Sequence, residues 1–366
     1  MRALVAINSD KKDSIEYTDL GVVKFGDVDV LFGTVELDQP VFDAEDPKNR
    51  DYVLVRVTAF SCNYRDKAIL VENYNLIKES GRLFVPFGSE FSAKIVSVGS
   101  DVRDFFIGDT VISDCTYPGS GQDTVLPGLA TNFASLGWLR LHKNKIIRAP
   151  ESLDDNEAAC FSLGAQTASS MIRRSRLLEN GGNPLVLSAR SNTSLFIIQQ
   201  LLSHGITPLC LSTSEWSEKE IHKISPSRVE LLNNEINHKS IFNHKITHVF
   251  DPFFDMNIGY ALNYLQTNGT YVTCGLRDQH PLLSTKTPND AESVVRDALK
   301  MSILKNVSIL GNCLGTKEDL ESAIQLQDTK GREIIIDQTY RLEESVDFVQ
   351  RSFFDPSRFG KCVMQL

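Results

Sequence analysis

The second half of the chain alternates apolar strands with amphipathic helices, and this alternation limits the possible folds more than any other feature. The segment "PLVLS" is an apolar strand, "LFIIQQLLSHG" is a helical segment closed by Gly205, and "TPLCLST" is the next strand. Further strands follow at 246–252, 270–276 and 307–312. Strands that alternate with helices form a parallel sheet with helices on both faces. We therefore predict a doubly wound α/β domain, which binds ligands at the carboxyl ends of its strands.

The first 150 residues show a different pattern, with short strands broken by Gly, Pro and Asp. Polar and apolar residues alternate over 51–60 and 91–102, and shorter strands are predicted at 107–114 and 144–150. Short strands between tight turns are typical of a small β-barrel. A chain of 366 residues also exceeds one ordinary hydrophobic core, so we expect two domains.

Composition excludes several classes of protein. The net charge is −9 and no basic stripe is present, which argues against a nucleic-acid partner. No run of about 18 apolar residues exists, so we predict no membrane span. The seven cysteines are widely spaced and contain no CxxC pair, which argues against disulfides and against a cysteine-rich zinc site. We expect a cytoplasmic protein.

Five motifs follow one another along the chain: "SCNYRDKAIL", "GSEFSAKIVSVGSDV", "IGDTV", the segment from Val249 to Leu276, and the terminal "FGKCV". In this order and spacing they resemble the medium-chain dehydrogenase/reductase superfamily of alcohol dehydrogenase-like enzymes. The resemblance implies a GroES-like β-barrel catalytic domain at 1–154 and 314–366, with a Rossmann nucleotide-binding domain at 155–313. The NYRD and GSE motifs most resemble the zinc-independent quinone oxidoreductase and enoyl reductase branch.

The residues at the family's zinc position predict a site without metal. By the resemblance, zinc-dependent relatives have Cys where Asn63 stands and His where Ser89 stands, and catalytic zinc needs about three Cys, His or carboxylate ligands. Glu90 is a carboxylate without such partners, and Cys62, one position away, would point to the other face of a strand. We therefore predict no metal ligand in this chain and no zinc cofactor.

Without zinc, another group must stabilise the negative charge that develops on a reduced substrate. The Tyr64 hydroxyl is a neutral hydrogen-bond donor, and the resemblance places Tyr64 beside the substrate. Tyr64 is equally well interpreted as a packed aromatic residue, and Tyr74 is a second candidate. The predicted catalytic set is Tyr64, Asn63 and Thr167, of which Thr167 matches a family position near the nicotinamide.

The turn after the first strand of the α/β domain, "SARSNTS", contains no glycine. A dinucleotide-binding loop uses glycines for a tight turn, for approach to the pyrophosphate and for helix–strand packing. The resemblance places the family's glycines at Ser188, Ser191, Asn192 and Ser194, which are all small and polar. Three interpretations of this loop are open. It binds NADP(H) with Arg190 at a phosphate, it has lost its cofactor, or it binds another phosphorylated group. We favour NADP(H).

The end of the second strand reads "LCLSTSEWSEK", with hydroxyl residues rather than a carboxylate at the tip. A carboxylate there would bind the ribose 2′-hydroxyl of NADH. Hydroxyl groups with Arg190 or Lys219 nearby suit the 2′-phosphate of NADPH, which we predict in preference to NADH. The predicted cofactor-binding residues are Ser188, Arg190, Ser191, Asn192, Thr193, Ser212, Thr213, Gly275, Leu276 and Asn312, the last three by resemblance.

Together these features predict an NADPH-dependent reductase that transfers hydride from the nicotinamide to the β carbon of an activated C=C bond. Its substrate is a small molecule or a group bound to a carrier or peptide. Two alternatives remain: a quinone or ketone reductase of the same fold, and a non-catalytic binding protein with a degenerate cofactor loop. By analogy with the family we expect a homodimer.

Overall fold

The computed structural model describes residues 2–224, 228–231, 241, 243–277 and 288–366. The chain divides into two compact units. The first, here called the barrel unit, comprises Met1–Leu163 and Ile336–Leu366; the second, called the Rossmann unit, comprises Gly164–Ile335.

Seventeen strands are numbered here along the described residues. They are β1 (Arg2–Ile7), β2 (Thr18–Phe25), β3 (Val28–Glu36), β4 (Tyr52–Ser61), β5 (Phe84–Val85), β6 (Glu90–Val98), β7 (Thr110–Ser113), β8 (Trp138–His142), β9 (Ile146–Arg148), β10 (Pro184–Val186), β11 (Leu209–Ser212), β12 (Arg228–Leu231), β13 (Ile246–Asp251), β14 (Leu265–Thr273), β15 (Ser308–Gly311), β16 (Ile336–Tyr340) and β17 (Lys361–Gln365).

The α-helices of the described residues are numbered in the same way. They are α1 (Tyr64–Ser80), α2 (Asp155–Ala158), α3 (Ser162–Ser175), α4 (Leu177–Asn180), α5 (Asn192–Ser203), α6 (Glu218–Ile224), α7 (Phe254–Tyr264), α8 (Pro288–Lys305), α9 (Lys317–Lys330) and α10 (Ser345–Phe353). None of the helices in these described ranges is long and apolar enough to cross a membrane.

The barrel unit contains two sheets. One has the strand order β2-β3-β1-β5, and the other has the order β16-β17-β4-β6-β7-β9. Strand β8 also pairs antiparallel with β4, outside this order. The strands predicted in the first 150 residues are found as β4, β6, β7 and β9, which confirms the β-rich first domain. The C-terminal strand β17 pairs antiparallel with β4, and this pairing returns the chain to the first unit.

The Rossmann unit is built on a parallel sheet of six strands. Its order is β12-β11-β10-β13-β14-β15, so the first strand of the unit lies between the second and the fourth. This is the doubly wound arrangement that the alternation of strands and helices predicts, and the order reverses between β10 and β13. Apolar residues such as Leu185, Val249 and Tyr271 are buried in the core around this point. In folds of this kind, ligands bind outside the carboxyl ends of the strands at such a reversal, here the ends of β10 and β13.

The boundaries between the units differ from the predicted ones. We expected them after residues 154 and 313, whereas the units divide after Leu163 and Ile335. The second difference arises because α9 is bonded to α3: Arg173 Nε and Nη2 donate to the Asp319 carboxylate at 2.7 and 2.9 Å. Gln166 Nε2 also donates to the carbonyl of Thr316 at 3.0 Å. These bonds make α9 part of the Rossmann unit.

Candidate functional site

The "NYRD" motif begins the first helix of the barrel unit. Asn63 precedes α1 with extended backbone angles, and its N–H donates to the Asp66 carboxylate at 2.9 Å. Ser89, at the end of a neighbouring loop, donates its hydroxyl to the same carboxylate at 2.6 Å. Asp66 is buried, and this burial raises the pKa of its carboxyl group. The capped helix end therefore fixes Asn63 and Ser89 beside each other, with an Asn63 Nδ2 to Ser89 Oγ distance of 3.2 Å.

A buried ammonium group lies next to Asn63. Lys361 Nζ donates to Asn63 Oδ1 at 2.8 Å, to Glu90 Oε2 at 2.9 Å, to the Cys62 carbonyl at 2.9 Å and to Ser61 Oγ at 3.2 Å. Lys361 is 1% exposed and Glu90 is 0% exposed. Four acceptors surround a group that has three N–H donors, so the charge is well compensated without water. We call Lys361, Glu90, Asn63 and Ser89 the ammonium centre.

The ammonium centre does not fit a zinc ion. Asn63 and Ser89 stand where the resemblance implies zinc ligands in related enzymes, and Asn63 Oδ1 and Glu90 Oε2 already accept hydrogen bonds from Lys361. Burial raises the pKa of the Cys62 thiol well above its ordinary value, so the sulfur is protonated at neutral pH in this structure. Within the described part of the chain, no group of three His, Cys, Asp or Glu side chains is arranged to hold a metal.

The predicted catalytic Tyr64 is the first residue of α1 and is half-buried. Lys67 Nζ lies 5.8 Å from the centre of its ring and 4.3 Å from the ring of Phe354. The Arg358 guanidinium lies within electrostatic range of Tyr64, and burial lowers the pKa of Arg358. The surroundings of Tyr64 are therefore cationic. The alternative candidate, Tyr74, is 0% exposed within α1, so its hydroxyl is packed in the interior and does not reach a substrate.

In the Rossmann unit, Ser188 adopts the backbone conformation that a glycine would provide. Its φ is +47°, in the left-handed region, and the turn closes with the N–H of Ser191 donating to the Ser188 carbonyl at 2.8 Å. Asn257 Nδ2, on α7, donates to Ser188 Oγ at 3.3 Å. A left-handed conformation strains a residue with a Cβ by about 1–2 kcal/mol. The geometry of a dinucleotide-binding turn is therefore retained although the glycine is replaced.

The hydroxyl groups of this loop bond to one another and begin helix α5. Ser191 is the N-cap, and its Oγ accepts from the N–H of Ser194 at 3.2 Å. Ser191 Oγ also donates to Ser194 Oγ at 3.0 Å, which in turn donates to the Leu187 carbonyl at 2.7 Å. The predicted residues Asn192 and Thr193 form the first turn of α5, whose N–H groups and dipole favour an anion.

Arg190, a predicted phosphate contact, forms an ion pair with Glu220. Its Nη2 and Nη1 donate to the two carboxylate oxygens of Glu220 at 2.6 and 3.2 Å, and Nη1 also donates to the Glu215 carbonyl at 3.2 Å. The guanidinium charge is thus already neutralised by a carboxylate that the sequence analysis did not consider.

Two further predicted residues, Ser212 and Asn312, also have hydrogen-bond partners within the protein. The hydroxyl of Ser212 donates to the Ser214 carbonyl at 2.7 Å and accepts from Trp216 Nε1 at 3.2 Å, and Ser212 is 1% exposed. It therefore stabilises the turn after β11. Thr213 is exposed beside it. Asn312 is also buried and binds strands and helices together, because its Oδ1 accepts from Ser170 Oγ and from Arg174 Nη1, both at 2.9 Å.

The remaining predicted residues lie at the carboxyl ends of the parallel strands or in α3. Gly275 follows β14 and a Cβ on it would lie 2.7 Å from the Pro252 carbonyl oxygen, so glycine is required for this close approach. Leu276 beside it is 45% exposed, as a residue lining a ligand site would be. Thr167 lies in α3 and is 5% exposed.

Sequence reasoning missed Asp251, a buried acid at the end of β13. It is 0% exposed, and its carboxylate accepts from the Phe253 N–H at 2.8 Å, from Asn257 Nδ2 at 2.7 Å and from the Tyr271 hydroxyl. Burial raises the pKa of this carboxyl group. Asp251 orients Asn257, which contacts Ser188. The sequence signal was an acid that ends the apolar run "THVF".

Comparison with known proteins agrees with this fold. Residues 49–147 match the family model of the alcohol dehydrogenase GroES-like domain. The chain is 23% identical over 336 residues to an acryloyl-coenzyme A reductase of Sulfurisphaera tokodaii, covering 88% of this chain and 95% of that protein. It is 28% identical over 190 residues to a crotonyl-CoA reductase of Streptomyces avermitilis, covering 44% of this chain and 43% of that protein.

Solved structures have the same fold over the full chain. The crystal structure of an NAD-dependent alcohol dehydrogenase has a TM-score of 0.73 at 18% identity and covers 100% of both chains. A variant of the crotonyl-CoA carboxylase/reductase AntE, in complex with NADP, has a TM-score of 0.71 at 15% identity and covers 100% of this chain and 95% of that one.

The barrel unit, the six-stranded Rossmann unit and these matches define an oxidoreductase of the alcohol dehydrogenase-like type. Residues 49–147 belong to the alcohol dehydrogenase GroES-like domain family, and the matches over the rest of the chain support the medium-chain dehydrogenase/reductase superfamily.

Proposed function

We propose that the protein is a zinc-independent, NADPH-dependent reductase of an activated C=C bond, with a short enoyl thioester as its substrate. The observation that carries this proposal is the ammonium centre, in which Lys361 binds to Asn63 and Glu90 at the position that the resemblance assigns to catalytic zinc. The names of the acryloyl-CoA and crotonyl-CoA reductases among the relatives support the substrate class.

The cofactor part of the proposal depends on the loop at the start of α5. Ser188 provides the left-handed turn, Gly275 the close approach after β14, and the first turn of α5, Asn192 and Thr193, the N–H groups for the pyrophosphate. When bound, the reduced nicotinamide supplies the hydride that the β carbon accepts. The AntE complex with NADP supports the phosphorylated form of the cofactor.

The barrel unit supplies the hydrogen-bond donor in this proposal. Addition of hydride to the β carbon places negative charge on the thioester oxygen, and a donor aimed at that oxygen stabilises the charge. The Tyr64 hydroxyl, held at the start of α1 and near the cations Lys67 and Arg358, is our candidate donor. Protonation of the α carbon by Tyr64 or by water then completes the reduction. Asn63 positions this helix start, and Thr167 is assigned to the nicotinamide side.

The test follows the oxidation of NADPH with acryloyl-CoA, crotonyl-CoA or a 1,4-benzoquinone as acceptor. We expect turnover with the enoyl thioesters, and a decrease in turnover of about 10²-fold in Tyr64→Phe, since a single positioned proton donor contributes this much. The dissociation constant for NADPH should stay within about twofold of the wild-type value, because Tyr64 lies in the other unit from the cofactor loop. The exposed Tyr117 provides the control variant Tyr117→Phe, which should retain full turnover.

Three results would contradict parts of this proposal. Unchanged turnover in Tyr64→Phe removes Tyr64 from the mechanism. Turnover with the quinone alone replaces the enoyl substrate with a quinone. Absence of NADPH and NADH binding at millimolar concentration excludes both reductases, and the replaced loop glycines then define a non-catalytic binding protein.

A further inference from the structure

A partly buried ion pair lies at the carboxyl end of the second strand of the Rossmann sheet. Arg190 and Glu220 form two parallel N–H to oxygen bonds of 2.6 and 3.2 Å, and their side chains are 13% and 19% exposed. A bidentate guanidinium–carboxylate pair with little access to water is among the stronger charged contacts in proteins. Burial raises the pKa of Glu220, but its bonds to Arg190 and Ser217 outweigh burial, so the net pKa is lowered and the carboxylate is ionised at neutral pH.

The Arg190–Glu220 pair lies in the part of the fold that contacts the adenosine ribose of a bound dinucleotide. Arg190 lies in the turn after β10, and it also donates to the carbonyl of Glu215, three residues beyond the end of β11. Glu220 lies in the first turn of α6, which follows β11. In a doubly wound sheet, residues after the second strand contact the ribose 2′ position: a carboxylate binds a 2′-hydroxyl, and an arginine accommodates a 2′-phosphate. This chain has both groups there, bonded to each other.

We propose that Glu220 is a specificity-determining residue that weakens the binding of NADPH relative to NADH. This inference rests on the proposed function, because it requires that the Rossmann unit binds a nicotinamide dinucleotide. The 2′-phosphate needs the Arg190 guanidinium, which it obtains only by displacing Glu220. The displaced carboxylate then lies close to a dianion and repels it. The 2′-hydroxyl of NADH carries no charge and is indifferent to this exchange, or accepts Glu220 as a hydrogen-bond partner.

The helix around Glu220 allows a clean substitution. Ser217 and Glu220 form a capping box at the start of α6. The N–H of Ser217 donates to Glu220 Oε2 at 2.7 Å, and the N–H of Glu220 donates to Ser217 Oγ at 3.3 Å. Glutamine supports this cap as glutamate does, since its side-chain oxygen also accepts from the N-cap N–H. Glu220→Gln therefore removes the charge and retains the helix start.

The experiment measures the dissociation constants of NADPH and NADH by calorimetry for the wild type, Glu220→Gln and Glu218→Gln. Glu218 is exposed in the same helical turn, so its variant has the same change of net charge without the contact to Arg190. For Glu220→Gln we expect the NADPH dissociation constant to fall by about tenfold and the NADH constant to change by less than about twofold. Glu218→Gln should change both by less than about twofold, because its charge is solvated.

The same substitution in an Arg190→Met variant tests whether Glu220→Gln changes NADPH binding through the Arg190 guanidinium. In Arg190→Met, replacement of Glu220 by Gln should no longer strengthen NADPH binding. The inference is overturned if Glu220→Gln leaves the ratio of the two constants unchanged, if Glu218→Gln shifts it equally, or if the shift persists in Arg190→Met. Binding of both dinucleotides with an unchanged ratio overturns this inference alone. Absence of any dinucleotide binding in the wild type and in Glu220→Gln overturns the proposed function as well.

Discussion

The Lys361–Glu90 ion pair of the barrel unit and the Arg190–Glu220 ion pair of the Rossmann unit differ in their exposure to solvent. The side chains of Lys361 and Glu90 are 2% and 0% exposed, whereas those of Arg190 and Glu220 are 13% and 19% exposed. The shortest N–O distances are similar, 2.9 Å in the first pair and 2.6 Å in the second. The two pairs therefore allow a comparison of the same interaction at two depths.

The difference in solvent exposure indicates which of the two pairs can exchange partners with a ligand. Lys361 has four acceptors in the protein, and separation from any of them would leave a charge in a medium that solvates it poorly. Arg190 lies close enough to solvent that a ligand anion can reach it and replace Glu220. We conclude that the Lys361–Glu90 pair stays together in the folded protein, and that the Arg190–Glu220 pair is suited to discriminate between ligands.

The largest effect is expected when the ammonium of the barrel unit is removed. Lys361→Met leaves the Glu90 carboxylate buried without its cation, and loss of one partner of a buried pair costs about 3–5 kcal/mol in the free energy of unfolding. Urea unfolding measures the loss, and hydrogen exchange of the amides of β4, β6 and β17 should assign it to the barrel unit.

The double variant Lys361→Met with Glu90→Gln is the control. A neutral amide needs less compensation than a carboxylate, so this variant should recover a large part of the lost stability. If Lys361→Met alone is as stable as the wild type, the ammonium centre is not a buried charge pair, and the comparison between the two depths fails.

A smaller effect is expected from Arg190→Met, and it should depend on pH. Removal of a partly buried ion pair costs about 1–2 kcal/mol, between the values for surface and fully buried pairs. The pKa of Glu220 is lowered from 4.5 in the folded protein: burial raises it, and the bonds to Arg190 and Ser217 outweigh burial. The pair therefore stabilises the protein above pH 4.5, and this contribution is lost as the pH falls through the lower native pKa.

Urea unfolding of Arg190→Met at neutral and at acidic pH checks this sign. The difference from the wild type should be largest at neutral pH and should shrink below pH 4.5. Arg176→Met removes an ion pair with Glu179 whose side chains are 69% and 59% exposed, and it should have almost no effect at any pH. A cost that is equal at both pH values would mean that Arg190 acts through packing of its stem.

The sequence predicted the sheets better than the ion pairs, and the reason is the distance between partners along the chain. Strands and helices are encoded within short segments, so the parallel, doubly wound sheet could be predicted from their alternation. Lys361 is 300 residues from Ser61, and Arg190 is 30 residues from Glu220, so no local pattern relates them. Lys361 was visible only as one letter of "FGKCV".

Residues with hydroxyl groups were the least predictable part of the candidate site. A serine is compatible with a cap, a turn and a ligand contact, and only the neighbours decide among these. Ser212 binds Trp216 and the following turn, which no rule on strand tips would reveal. The boundary of the Rossmann unit shows the same limit, because α9 was assigned by its position and is fixed instead by the contact of Asp319 with Arg173.

The smallest expected effects separate two serines that occupy glycine positions of the family loop. Ser188 has a φ of +47°, which glycine adopts without strain. Glycine also makes the unfolded chain more flexible, which offsets part of this gain. Ser188→Gly should therefore raise the free energy of unfolding by a net amount of about 0.5 kcal/mol. Ser194 is helical and donates to the Leu187 carbonyl, so Ser194→Gly should lower it by about 1 kcal/mol. Urea unfolding with hydrogen exchange of α5 measures both. Shifts of the same sign would mean that the loop responds to side-chain size rather than to backbone conformation, and Ser188 would then be no substitute for the glycine of a dinucleotide-binding turn.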